Sequence, residues 1–389
     1  RRGGRPVRFP SFRFWTLRSL SHSLRLSGIS RLGSILAMAE ARGPRRITRS
    51  IAGLISMATL LFGMIQPANL HAQDGMPYWR VEFPDTDFAK RIIDLKEIRS
   101  DGARRDSIPP IWSPTFIPAA KARGLGALEP VISLQIGSNA RAYPLSILLW
   151  HEIVNDRVGD LPILVTYCPL CNSSVVFERQ LPPAQGGKAL LFGNTGRLRN
   201  FDMVMYDRLT GSWWQQYTGE AVIGELAKTR LKRLPSRVEA FGRFRARYPD
   251  GQVLVPNDPS ARPYGSTPYV RMDSSAGGGL DMFELPEGVR PYDRVVAVGR
   301  NAWTLKMLQR RGVIADEGVV LRWQPGQNSI HDTKIITFGR DVGNVTVRRH
   351  DAASDTWRDV VHDVAFAFAF KAFEPDGALY YDLPPKKAE

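Results

Sequence analysis

The sequence predicts an α+β protein, mostly antiparallel β, made of two tandem related modules of which the second is shortened and eroded. Three observations predict it. Short β-branched and alternating runs are separated by turn residues. The only two cysteines, Cys168 and Cys171, stand in Val165-Thr-Tyr-Cys-Pro-Leu-Cys-Asn-Ser173, and the segment returns as Arg322-Trp-Gln-Pro-Gly-Gln-Asn-Ser329 with both sulfurs replaced by glutamine amides. Further pairs recur in the same order, their offsets falling from 164 (Val131/Val295) through 156 (Cys168/Gln324) and 144 (Trp213/Trp357) to 126 (Pro249/Pro375). A fixed order with shrinking offsets is what duplication followed by deletion produces.

Along the chain, residues 1–37 have no initiating methionine at their start and are rich in Arg, Ser and Leu, and they read as translated upstream sequence rather than a domain. Residues 38–72 have the form of a signal peptide. Arg42, Arg45, Arg46 and Arg49 precede an uncharged run from Ile51 to Ile65, and Ala72 offers a cleavage site. Fifteen apolar residues are short for a membrane span and right for an export signal. The sequence thus predicts a periplasmic or secreted protein with no stable membrane anchor after cleavage. The formal charge of +15 is no nucleic-acid footprint, because residues 1–72 hold twelve arginines against one acid and carry eleven of those charges. Phosphate binding needs basic residues clustered on the folded body.

Residues 73–130 read as an irregular, proline-rich lead-in, with one helical stretch near Phe88–Ile98. The first module spans 131–256. In it, strands at 131–136 and 140–143 meet at Gly137-Ser-Asn139, and Leu145, Leu148 and Leu149 give a short helix over 144–150. Strands 163–167 and 174–179 flank the cysteines, strands at 189–192, 202–206 and 212–217 continue an antiparallel pattern, and 238–248 reads as a helix stopped by Pro249-Asp-Gly251. Residues 257–294, rich in Pro, Gly and Ser, read as a linker. The second, degenerate module spans 295–382.

The chemistry centres on Cys168 and Cys171. In a thioredoxin-type site the second half of the motif opens a helix whose dipole activates the first thiol. Here β-branched Asn172-Ser-Ser-Val-Val176 follows, which suits a knuckle between two strands, with Asn172 taking the positive φ that such a turn needs. Three uses stay open: a transition-metal site, copper or zinc suiting sulfur with imidazole; a periplasmic thiol–disulfide oxidoreductase; or a non-catalytic binding module with an inert disulfide, whose four-residue loop contributes only about 2 kcal/mol. His151 in Trp150-His-Glu-Ile-Val-Asn-Asp156 is the leading third ligand, because the second copy has lost it together with Glu152, Asn155 and both cysteines while keeping Asp156, Pro169 and Asn172 in matching form. A second polar cluster, Arg197, Arg199, Asn200 and Asp202 followed by Trp213, Trp214, Gln215 and Glu220, could line a pocket with Glu152 and Asn155. No nucleotide loop, nucleophile elbow or haem-attachment motif is present.

The runs Ala142-Tyr-Pro-Leu145, Trp150 to Asp156, Thr166-Tyr-Cys-Pro-Leu-Cys-Asn172, Leu198-Arg-Asn200, Met203 to Arg208 and Gly219-Glu-Ala-Val-Ile-Gly224 closely resemble the bacterial family catalogued as domain of unknown function 3179. The resemblance covers about residues 100–382. It departs in the second copy, where Phe366 and Phe368 stand at the family's usual tryptophans. It implies one exported two-copy domain and no particular activity or partner.

Overall fold

The computed structural model describes residues 76–100 and 102–382. The upstream segment and the leader read over 1–72 lie outside the described residues. Structure begins inside the supposed lead-in, with helix α1 (Met76–Glu82), strand β1 (Ile98–Ser100) and strand β2 (Thr115–Pro118). The helix expected near Phe88–Ile98 does not form; only a 3-10 turn at Leu95–Glu97 does, held by a reciprocal cap between Asp94 and Glu97. Phe88 is 1% exposed and packs edge-on against Trp213 at 5.3 Å between ring centroids. Burying that aromatic outweighs a local helix preference of a few tenths of a kcal/mol per residue.

The first module opens with β3 (Pro130–Ile136) and β4 (Asn139–Pro144), which turn at Gly137 with φ 58°. Helix α2 (Leu145–His151) buries Leu145, Ile147, Leu148 and Leu149. Strands β5 (Ile153–Val158), β6 (Leu161–Cys168) and β7 (Ser173–Glu178) make a meander that pairs Ile153 with Thr166 and Cys168 with Ser173. Then come β8 (Phe192–Arg199), β9 (Asp202–Asp207), β10 (Trp213–Gln215), β11 (Ala221–Ile223) and β12 (Lys232–Leu234). The stretch read as one helix over 238–248 divides: β13 (Arg237–Ala240) pairs with β3, and α3 (Phe241–Arg247) starts only after Ala240. Strand β14 (Gln252–Val255) then runs parallel to β4.

The second half holds β15 (Arg294–Val298), β16 (Asn301–Thr304), α4 (Leu305–Arg311), β17 (Val313–Asp316), β18 (Val319–Gln324), β19 (Asn344–Asp351), β20 (Thr356–Asp359), β21 (Asp363–Phe366), α5 (Ala367–Phe373) and β22 (Ala378–Tyr380). The sheets are mostly antiparallel, as the alternating short strands predict; the exceptions among paired strands are β14 on β4 and β22 on β16. Two sheets share one connectivity. The order β13-β3-β4-β14 matches β21-β15-β16-β22, with one antiparallel and one parallel outer strand in each. A seven-residue helix follows each central hairpin, and a meander follows each helix. Tyr167 donates its amide to the carbonyl of Glu152, and Trp323 donates to Gly312 in the same place. The pairing of Trp213 with Trp357 does not follow this pattern. Trp213 is buried on β10, between β9 and β11, whereas Trp357 is 44% exposed on β20, which pairs with β19 as β12 pairs with β7.

The described residues belong to one compact unit, and the segment read as a linker is anchored to it at a few buried points while most of its residues stay exposed or half-buried. Its 3-10 turn at Met272–Ser274 buries Asp273 beneath Arg294, Arg340 and Ser329, and Leu280 is 3% exposed in the main core. That core places Cys168, Cys171, Met203 and Trp214 together with Phe366 and Phe368 of the second half. Among the described residues no helix is long and apolar enough to cross a membrane.

Candidate metal centre

Cys168 ends β6 and Ser173 opens β7, so Pro169 to Asn172 form the turn between two strands. Asn172 takes φ 51°, the left-handed value expected of the knuckle, and its amide donates to the Pro169 carbonyl at 3.2 Å. Its side chain ties the turn in two directions, accepting from the Tyr167 hydroxyl at 3.2 Å and donating to the Val364 carbonyl at 3.4 Å. The main chain beyond it is also held, because the Phe366 amide donates to the Cys171 carbonyl at 2.9 Å. Both thiols are unbridged and buried, at 1% and 0% exposure.

The third element is the turn from β8 to β9. Asn200 and Phe201 both adopt positive φ, 53° and 63°, which for a phenylalanine costs about 1 kcal/mol or more. That backbone points the Phe201 carbonyl at the sulfurs, 3.3 Å from Cys171 Sγ and 3.9 Å from Cys168 Sγ. It also brings in Asp202. One of its carboxylate oxygens and the two sulfurs all lie within 4.8 Å of one another. The Asp202 Oδ2 accepts from Gln215 Nε2 at 2.6 Å and from the Tyr217 amide at 2.9 Å, while Oδ1 is buried without a hydrogen-bond partner. Burial raises the pKa of Asp202 to about 6 against the hydrogen bonds that lower it. Burial likewise pushes up both thiols, Cys171 the more strongly because Cys168 adds to the effect.

His151 is not part of this group. Its Nδ1 lies 2.7 Å from the Pro109 carbonyl and its Nε2 lies 2.7 Å from the Tyr264 hydroxyl, with the two rings stacked. The helix directs it there: His151 is the last residue of α2, and the chain turns sharply at the next one. That next residue, Glu152, faces inward instead. It caps α2 at φ 57° and ψ −29°, is 7% exposed, and accepts from Asn194 Nδ2 at 2.5 Å. Asn194 also approaches Met203 Sδ at 3.3 Å, and the Glu152 carboxylate contributes to the raised pKa of Cys168.

The polar cluster expected as a pocket divides. Asp202 and Gln215 belong to the sulfur centre, and Glu152 borders it. Asn155 clamps the main chain of Phe192 through both ends of its amide, at 2.8 and 2.9 Å. Arg197 is 1% exposed and paired with Glu82, with further bonds to the carbonyls of Ala103 and Thr195. Arg199 reaches Glu97, Asn200 reaches the Ala372 carbonyl, and Glu220 pairs with Arg230. Trp213 packs among Trp79, Phe83 and Phe88, and Trp214 donates to Asp207 Oδ2 at 2.9 Å. These are framework contacts, as expected where buried polar groups must find partners.

Sequence reasoning missed Phe201, Met203, Asn194 and His331. The first three lie within ten residues of Asp202, but nothing in a sequence shows that a turn will present a carbonyl. His331 is a buried residue of the second half whose Nε2 lies 2.8 Å from the Pro169 carbonyl.

The chain belongs to the family described as Protein of unknown function (DUF3179), which it matches over residues 105–377. No curated protein matches it, and no solved structure does.

Proposed function

We propose that this member of the DUF3179 family binds a transition-metal ion, zinc before copper, through Cys168, Cys171 and Asp202. The observation that carries the reading is the convergence of two sulfurs and a carboxylate oxygen within 4.8 Å in a buried site. Tetrahedral zinc with bonds of about 2.3 Å to sulfur and about 2.0 Å to oxygen sets its ligand atoms roughly 3.5–3.8 Å apart. Small side-chain adjustments reach that spacing. Copper(I) is satisfied by two thiolates, whereas zinc also accepts carboxylate oxygen. Asp202 therefore favours zinc.

The oxidoreductase reading is less well supported. A thiol that exchanges disulfides needs access and a lowered pKa, and both cysteines are buried with raised values. In the setting that the leader implies, the protein is periplasmic or secreted, with the ion as a built-in part of the fold.

Elemental analysis with thiol counting on the purified full chain tests the proposal. One zinc per chain is expected, lost in Cys168→Ser and weakened in Asp202→Ala, with His151→Ala retaining it. Metal-free protein after exposure to zinc and copper(I), with fast-reacting thiols, would sink it.

A further inference from the structure

Where the two halves meet, a cleft of about 480 Å³ opens, lined by none of the residues of the sulfur centre. Small-molecule sites commonly occupy about 300–1,000 Å³. One wall is β3 with the end of α3, and the other is the hairpin of β19 and β20. An ion pair ties the walls together: Arg237 of β13 donates to Asp359 of β20 from Nε at 2.7 Å and also from Nη2.

Arg237, Arg247, Arg348 and Arg358 line this cleft, and three of them have a carboxylate of their own. Arg237 has Asp359, Arg247 is forked onto the buried Glu239, and Arg358 lies 2.9 Å from Asp351. Arg348 is the exception. Its Nε stays 3.7 Å from Asp359, whose two oxygens are already bonded to Arg237, and its Nη2 donates to the Trp357 carbonyl at 2.8 Å. The cleft therefore carries one positive charge in excess. Nη1 of Arg348 and Nη1 of Arg237 have no hydrogen-bond partner among the described residues. Beside this charge stands an aromatic surface: Trp357 is 44% exposed, with the Arg348 guanidinium 5.9 Å from its ring centroid. From the other wall comes a second such pair, Arg247 over Tyr248 at 4.7 Å.

We propose that this cleft binds a monocarboxylate borne on a hydroxylated ring, a sugar acid of the uronate type. Guanidinium donors match the two oxygens of a carboxylate, and Arg348 and Arg237 hold unused ones. A pyranose ring has an apolar C–H face that covers an open indole, and covering it removes apolar surface from water. One excess charge matches a monoanion and leaves a phosphate dianion or a polyanion uncompensated. The rest of the lining is largely polar, with Ser133, Gln135 and the paired arginines beside the tryptophan, which suits hydroxyl groups better than a wholly apolar body. The proposal stands independently of the metal reading.

Calorimetric titration of the purified full chain with glucuronate, glucose and phenylacetate tests it. Glucuronate should bind about tenfold or more tightly than glucose, which lacks the charge, and more tightly than phenylacetate, which lacks the hydroxyls. Arg348→Met, which removes the unmatched charge, should weaken glucuronate about tenfold. Trp357→Leu should weaken it about fivefold. Both side chains are more than 40% exposed, so the melting temperature of each variant should stay close to that of wild type. Absence of glucuronate binding at millimolar concentration, equal affinity for glucose, phenylacetate bound as tightly, or wild-type affinity in either variant would each overturn the proposal.

Discussion

The Nε2 of His331 lies 2.8 Å from the carbonyl oxygen of Pro169, so a side chain of the second half closes the turn that carries both sulfurs. Arg294 Nη2 sits 3.4 Å from Nδ1 of the same ring, which leaves Nδ1 as acceptor and Nε2–H as donor. Arg294 and Ser329 both engage Asp273, the buried acid of the segment joining the halves. The sulfur turn is thus seated on a buried polar network from the opposite half, and this is where stability becomes sensitive to pH.

Burial and the Arg294 charge lower the pKa of His331 to about 3, while burial raises Asp202 to about 6. In metal-free protein the two act in opposite senses. Between about pH 3 and the ordinary histidine value near 6.5, the unfolded chain protonates His331 and the folded chain does not, so its contribution is lost as pH falls. Between the ordinary aspartate value near 3.9 and about 6, the folded chain alone holds the Asp202 proton, so its contribution is lost as pH rises. The windows overlap and the slopes cancel. Asp202→Asn should remove one of them, and its stability relative to wild type should then rise with pH by up to about 1.4 kcal/mol per unit between about pH 4 and 6. Urea unfolding at half-unit intervals measures the difference; parallel wild-type and mutant profiles would contradict it.

Arg197 has no exposed side-chain surface, and Glu82 is its ion-pair partner. Glu82 also accepts from the Arg105 amide at 2.5 Å. Removing one member of a buried pair leaves the other charge uncompensated, at a cost of about 3–5 kcal/mol. Glu82→Ala should therefore destabilise the protein by about 3 kcal/mol or more, read by chemical denaturation. Replacing both partners with methionine, Glu82→Met together with Arg197→Met, should cost less, since neither charge is then left buried and unpaired.

The knuckle was legible because its residues carry local conformational information: Asn172 tolerates positive φ, the valines after it are β-branched, and Pro169 stiffens the turn. Helix α2 was legible for the same reason, its leucines recurring at helical spacing. His151 misled because sequence proximity says nothing about direction; one left-handed residue after α2 turns Glu152 inward and leaves the imidazole on Pro109 and Tyr264. The pairing of Asp202 with the cysteines depends on β8 and β9 folding back across the core, a contact more than thirty residues long in sequence. The lead-in was underread because several of its aromatics find partners far along the chain, where Phe83 meets Tyr206 at 5.4 Å and Trp213 at 5.0 Å between ring centroids.

Asn155 joins two sheets. It donates to the Phe192 carbonyl at 2.9 Å and accepts from the Phe192 amide at 2.8 Å, linking β5 to the start of β8 at a point buried from water. Asn155→Ala leaves both main-chain groups of Phe192 unpaired, each worth about 1–3 kcal/mol when buried. A loss of about 2–4 kcal/mol is expected, with little change in zinc stoichiometry at low temperature, since Asn155 touches none of the proposed ligands. Loss of zinc from a variant that remains folded would assign Asn155 to the centre instead.

Metal removal should be felt across the junction of the two halves. The Phe366 amide is bonded to the Cys171 carbonyl at 2.9 Å, and Asn172 is bonded to Val364, so the strand leading into α5 hangs on the sulfur turn. An ion that ties Cys168 and Cys171 to Asp202 would hold the turn and the β8–β9 connection as one piece. A ligand bound only by the folded state adds about 2.7 kcal/mol of stability at a concentration a hundred times its dissociation constant. Chelation in the presence of a reductant should therefore lower the melting temperature by several degrees and reverse on adding zinc. Local opening should appear first in hydrogen exchange, with the Phe366 and Asn172 amides losing protection before those of β3 and β4, which lie in a different sheet. Uniform loss of protection over all five sheets would mean that the ion stabilises the fold without acting at this junction.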